Sequence, residues 1–271
     1  MRWAMPLYKE SPALKYINRL DLSSGNELLK KCDSICNWYS EVILNRKSFI
    51  KYLVEKELSA EGEYQLVFMA AGKSPLPIEL LFNNHSKIHR VFEIDLSGME
   101  NKNALYIELF PDLSNKLRCI TGDITSPGII NILYDHGNGY RRDIPSIIVM
   151  EGISYYLHKL ELQNIVSHFC SNRENIFIIE YLLPDSYVIQ ERQFISRKIF
   201  ATIRKECGLS DITEYTRDEL KNIFRKTGGD LISGYSMSDM EFNRTGVYRY
   251  FKKPEDGWIE CAIGVTGPDS K

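Results

Sequence analysis

Three carboxylates in this sequence each follow an apolar, strand-like run, and a small-residue turn precedes all of them. Leu66-Val67-Phe68-Met69 breaks at Ala70-Ala71-Gly72, Val91-Phe92-Glu93-Ile94 ends in Asp95, the run 117–121 leads to Gly122-Asp123, and Ser146-Ile147-Ile148-Val149-Met150 leads to Glu151. Ligands of open α/β sheets bind beyond the carboxyl ends of the strands, where strand order reverses. A turn of small residues lets backbone approach such a ligand closely. Asp95 lies ~25 residues after that turn, near the ~20 expected of an acid that binds ribose hydroxyls. A carboxylate there accepts two hydrogen bonds from a diol, and Asp123 is placed to accept from an exocyclic adenine amine. The pattern predicts a bound adenosine-type ligand.

The turn is not a dinucleotide fingerprint, because GxGxxG is absent and Gly72 stands alone. A pyrophosphate wants several backbone amides at a helix start, yet Pro75 and Pro77 remove two of them. S-adenosyl-L-methionine fits this better: it offers adenine and ribose, with a zwitterionic amino acid in place of phosphate. Its product would be S-adenosyl-L-homocysteine. Leu96, next to Asp95, is counted with the cofactor-binding residues. Tyr155 and Tyr156 follow the fourth strand and are expected at the same face. A carboxylate acceptor, ionised at neutral pH, needs no base for methyl transfer. A hydroxyl or amine acceptor does need one, and His158 is then the nearest candidate in sequence.

Positioning these groups requires alternating strands and helices. Residues 1–60 read as helical, with segments 13–20 and 26–58 separated at Ser23-Ser24-Gly25. Strands are predicted over 65–70, 91–95, 117–121, 146–150 and 176–181. Helices are predicted over 78–83, 99–110, 126–133 and 159–170, with a polar loop over 135–143. The alternation then gives way to a helical stretch over 184–228, a lid in which Tyr187, Phe194, Ile195, Ile199 and Phe200 offer an apolar face. A strand over 231–235 follows. A closing hairpin is expected from 246–251 and 258–266 around a turn at 254–257. The expected architecture is one α/β domain over 1–271. Its parts are N-terminal helices (1–60), a cofactor-binding core (61–183), the lid (184–228) and C-terminal strands (229–271). The core is a doubly wound, mostly parallel seven-stranded sheet with a C-terminal antiparallel hairpin.

Composition narrows the class. A net charge of −2 argues against non-specific nucleic-acid binding. Six cysteines without a CxxC pair imply no disulfide framework and a reducing cytoplasm. The five histidines show no ligand spacing with them, so no metal site is expected. No apolar run reaches the ~18 residues of a membrane span, and the N-terminus lacks a signal peptide's apolar centre.

These motifs resemble the leucine carboxyl methyltransferase (PPM) family, a class I S-adenosylmethionine-dependent fold with a helical lid. The family's NRxxF-like helix is similar to Leu44-Asn45-Arg46-Lys47-Ser48-Phe49-Ile50-Lys51. Its GAGxDT turn appears as Ala70-Ala71-Gly72-Lys73-Ser74-Pro75, and FEVD as Phe92-Glu93-Ile94-Asp95. EGxxxYL, the most specific match, appears as Glu151-Gly152-Ile153-Ser154-Tyr155-Tyr156-Leu157. The resemblance implies that Asp95 holds the ribose, and Asp123 with Ile124 the adenine. Ala70, Ala71 and Gly72 would pass under the methionine part, and Lys51 or Arg46 would meet its carboxylate. Glu151 would lie near its amino group and Tyr156 near the reacting centre. The chain departs from the pattern at Ala70, Ser74, Lys51 and Thr125, the last standing where eukaryotic members place an arginine for the substrate carboxylate. A free small-molecule acid is therefore the expected substrate, ahead of a phosphatase C-terminal leucine. A hydroxyl or amine methyltransferase of the same fold and a non-catalytic adenosine-binding module stand as alternatives.

Overall fold

A computed structural model describes residues 7–135, 137–170, 174–208 and 211–266. The first six residues of the N-terminal stretch and His136, within the expected 135–143 loop, lie outside the described residues. After α1 (Ala13–Ile17), α2 (Ser23–Ile35) and α3 (Tyr39–Leu58) come four strand–helix steps and a fifth strand. These are β1 (Tyr64–Met69), α4 (Leu76–Asn83), β2 (Ile88–Asp95), α5 (Met99–Leu109), β3 (Leu117–Thr121), α6 (Gly128–Tyr134), β4 (Ser146–Met150), α7 (Lys159–His168) and β5 (Asn175–Leu182). Then follow α8 (Gln190–Cys207), α9 (Arg217–Lys226), β6 (Asp230–Tyr235), α10 (Met237–Thr245) and β7 (Ile259–Thr266).

The described strands form one seven-stranded sheet in the order β3-β2-β1-β4-β5-β7-β6. β1 to β5 pair in parallel, and β7 runs antiparallel to both β5 and β6. The order reverses between β1 and β4, which opens a crevice at their carboxyl ends. Both faces of the central strands are buried, as a parallel sheet demands. Leu66, Phe68, Ile147, Val149 and Ile178 face the layer that holds α1 to α4, α8 and α10. Val67, Met69, Ile148, Met150, Phe177 and Ile179 face the layer of α6, α7 and α9. No helix among the described residues is long and apolar enough to cross a membrane.

Four sequence expectations change. Residues 246–251 are not a strand, and the antiparallel partner of β7 within the C-terminal part is β6. Gly246, at φ 73°, ends α10. The amides of Arg249, Tyr250 and Phe251 then donate to the buried Glu241 carboxylate at 2.8–3.1 Å instead of to a ladder. The single helix expected over 26–58 is broken at Cys36, where the backbone turns extended. β1 stops one residue early because Ala70 takes φ 53°. The lid stretch divides: α8 packs Ile199 and Phe200 inward while Tyr187 and Phe194 point to solvent, and α9 buries Leu220, Ile223 and Phe224 in the second layer.

Candidate active site

The crevice is built outward from the β1–α4 turn. Ala70 is the one non-glycine residue with positive φ among the described residues, and Gly72 also lies in the left-handed region at φ 48°. Left-handed backbone at such a turn allows the close approach of main chain to a ligand. The Gly72 N–H donates to Asp95 Oδ2 at 2.7 Å, so the first acid is tied to the turn that it follows by 23 residues. The second oxygen of Asp95 retains lone pairs for a diol. Beyond it, Leu96 is 69% exposed. Ile124 is buried after β3, and Asp123 is exposed there, with Oδ1 accepting from the Thr125 N–H at 2.8 Å and its hydroxyl at 2.7 Å.

A cavity of about 190 Å³ lies at the tips of β1 and β4. Ala70, Ala71, Ser74 and Val149 form its walls, and Lys47 and Glu151 meet across it in an ion pair. Burial would raise the Glu151 carboxyl, but Lys47, with Arg46 and Lys102 acting at longer range, holds it below its ordinary value. Lys47, which lines this cavity together with Lys73, is a cation that sequence reasoning missed. Arg46 and Lys51 were expected there, yet Arg46 is 6% exposed and pairs with the fully buried Glu180 of β5 at 2.5 Å. Lys51 meets Glu79 at 2.7 Å and Glu55 at 3.9 Å. The signal was present in part. Lys47 and Lys51 are i and i+4 on α3, one stripe away from the buried Phe49, Ile50 and Leu53. Which member of the stripe reaches the turn depends on how far α3 has slid along the sheet, a tertiary quantity.

Glu151 directly follows β4, and the chain turns through Gly152 at φ 71°, where a Cβ would come within 3.4 Å of the Tyr155 hydroxyl. Tyr155 is 5% exposed and packs edge-on against Tyr156 and against Phe200 of α8, with ring centroids 4.7 and 5.2 Å apart. Burial pushes both phenols well above their ordinary values, with Arg46 pulling the other way. Neither is a phenolate at neutral pH; each can donate a hydrogen bond. Tyr156 is half-buried beside Tyr155, whereas His158 is exposed as the residue before α7, its N–H donating to Glu161 at 2.7 Å. The arrangement thus brings together the β1 turn, Asp95, Lys47 and Glu151, with Leu96, Asp123 and Ile124 along the neighbouring tips.

A model of the family described as leucine carboxyl methyltransferase matches residues 17–170, more than half of the chain. No curated protein sequence matches it. Among solved structures, a provisionally named methyltransferase from Thermobifida fusca YX shares 13% identity, with 89% of this chain and 88% of that one covered and a TM-score of 0.62. A DUF574 family protein from Streptomyces avermitilis MA-4680 shares 13% identity over 90% of each chain at 0.60. The magnesium protoporphyrin IX methyltransferase of Synechocystis PCC 6803, solved with bound S-adenosyl-L-homocysteine, shares 13% identity over 90% of this chain and 95% of its own at 0.51. These likenesses concern the fold.

Proposed function

The chain belongs to the leucine carboxyl methyltransferase family, and from that premise we propose that this S-adenosylmethionine-dependent methyltransferase acts on the carboxylate of a free small molecule. S-adenosylmethionine supplies an electrophilic methyl on a sulfonium. The residues present suit its parts. Lys47 and Glu151 offer one cation and one anion to an amino acid's carboxylate and ammonium, so the zwitterion replaces their mutual contact without leaving either charge unpaired. Asp95 would take the ribose hydroxyls. Leu96, Asp123 and Ile124 would flank the adenine, and Ala70, Ala71 and Gly72 would run beneath the methionine chain.

The acceptor assignment rests on the absence of a poised base among the described tip residues. Tyr155 and Tyr156 are held protonated, and His158 stands exposed at the start of α7. An acceptor that arrives ionised suits such a site. Bound there, the sulfonium would supply its methyl to a carboxylate oxygen with loss of the thioether, leaving the protein no proton to remove. The protein's share is then alignment and exclusion of water, effects worth ~7–11 kcal/mol when the reacting atoms are well oriented. α8, packed on Tyr155, is the cover that would exclude water. Thr125, where eukaryotic members are expected to place arginine, favours a small acid over a protein terminus. The free thiols of Cys32, Cys36, Cys119, Cys207 and Cys261 favour a reducing compartment, the cytoplasm.

The test has two parts. Titration calorimetry with S-adenosyl-L-homocysteine is expected to show affinity weakened at least tenfold by Asp95→Ala and by Lys47→Met, and less than threefold by Lys51→Met. Incubation with S-adenosylmethionine and a panel of acids, alcohols and amines should give base-labile methyl esters by mass spectrometry. Turnover confined to alcohols or amines, rising with pH and lost in His158→Ala, would contradict the carboxylate reading.

A further inference from the structure

A lysine and a glutamate lie where a sequence of this kind has little use for charge. Glu93 sits inside β2, fully buried, and Lys102 sits on the inner face of α5, 3% exposed. They form an ion pair. Lys102 Nζ also donates to the Gly72 carbonyl at 2.8 Å. The other half of that residue, the Gly72 N–H, is held by Asp95 at 2.7 Å. Gly72 is therefore gripped at both polar atoms by groups from β2 and α5. The Lys102 ammonium lies 5.9 and 5.8 Å from the ring centres of Tyr16 and Tyr106, which close it off from water.

We propose that the Glu93–Lys102 pair is a positioning device that fixes the β1–α4 turn in its cofactor-binding conformation, a proposal that rests on the cofactor reading of the same crevice. Three observations carry it. A buried ion pair is a poor source of stability, because desolvation cancels most of its attraction, so its retention calls for another reason. The turn under it is the one place among the described residues where a residue with a Cβ is forced to positive φ. Left alone, Ala70 relaxes toward negative φ, and the Gly72 peptide swings with it. The pair holds that peptide against the relaxation. Lys102 is not one of the residues that line the cavity; it reaches the turn through the Gly72 carbonyl, in addition to its longer-range pull on Glu151.

Removing Lys102 alone would strand a buried carboxylate and threaten folding, so the informative variant is Glu93→Leu with Lys102→Met. Apolar replacement of a buried pair is commonly neutral or stabilising, and the thermal midpoint is expected to stay within a few degrees of wild type. Hydrogen exchange on the cofactor-free protein should show the 71–74 amides exchanging at least tenfold faster, with β1 and β2 unchanged. S-adenosyl-L-homocysteine should bind at least tenfold more weakly, and adding Ala70→Gly to the double variant should recover threefold or more of that loss. Unchanged turn exchange, equal loosening of β1 and β2, or affinity within threefold of wild type would overturn the proposal. Failure of the wild type to bind S-adenosyl-L-homocysteine would overturn the cofactor reading instead, and the exchange measurement would still decide whether the pair holds the turn.

Discussion

At the scale of single residues, Ala70 holds a left-handed conformation that glycine adopts more readily, at φ 53°. An L-residue in the left-handed region costs ~1–2 kcal/mol, whereas glycine adds ~0.5–1 kcal/mol of unfolded-state entropy. Ala70→Gly is therefore expected to stabilise the cofactor-free protein by about 0.5–1 kcal/mol, raising its melting temperature by roughly 1–4 °C by calorimetry. A fall in melting temperature would mean that the turn is unstrained. The acids at this site were legible because each follows an apolar strand directly, and chain order alone carries Asp95, Asp123 and Glu151 to the same edge. The cations were not. Arg46, Lys47 and Lys51 share one helix, and only the packing of α3 decides that Arg46 goes under β5 and Lys47 to the turn. Lys102 left a trace, being spaced three and four residues from the buried Met99 and Tyr106. A lysine on that stripe requires a partner, and Glu93 in an apolar strand was the complementary sign.

At the scale of elements, the parallel strands were legible because fully apolar runs such as 146–150 have few alternatives inside an α/β sheet. The C-terminal part was not. Gly246-Val247-Tyr248-Arg249-Tyr250-Phe251 carries the aromatic, β-branched alternation of a strand, yet its backbone is claimed by a carboxylate on the preceding helix. Glu241 is 1% exposed and accepts from three consecutive residues. Trp38 completes the arrangement, stacking on Tyr250 at 5.4 Å and meeting Phe251 edge-on at 5.3 Å. Local propensity loses to charge-assisted hydrogen bonds, each worth ~1.5–3 kcal/mol when the acceptor is ionised. Glu241→Gln keeps the shape and removes the charge. It is expected to lower the melting temperature by about 5–10 °C and to open residues 246–251 to limited proteolysis. Resistance of that segment equal to wild type would show that the aromatic contacts suffice to hold it.

At the scale of the whole molecule, three acid–base pairs sit inside one fold: Glu93–Lys102, Arg46–Glu180 and Lys47–Glu151. They do not respond alike to protons. Burial raises the Glu93 and Glu180 carboxyls against the pull of their partners. Each favours the fold most in acid, and part of that contribution is lost as pH rises through the folded value. Glu151 has the opposite sign. Burial pushes it up, but Lys47 and the further cations bring it below its ordinary value. Its contribution is complete above the unfolded value of about 4.3 and disappears as pH falls through the lower folded one. On the proposed reading the same ordering would govern ligand binding, because Glu151 would offer its anion to an ammonium only while ionised. Comparing wild type with Glu151→Gln isolates this effect, since other titrations act on both proteins. The ratio of their S-adenosyl-L-homocysteine affinities is expected to be at least tenfold at pH 7 and constant down to about pH 5. It should shrink toward one only below the unfolded carboxylate value of about 4.3. A ratio that already declines between pH 7 and 6 would mean that Lys47 does not hold the carboxylate ionised, and the zwitterion would then need a different anion at the tip of β4.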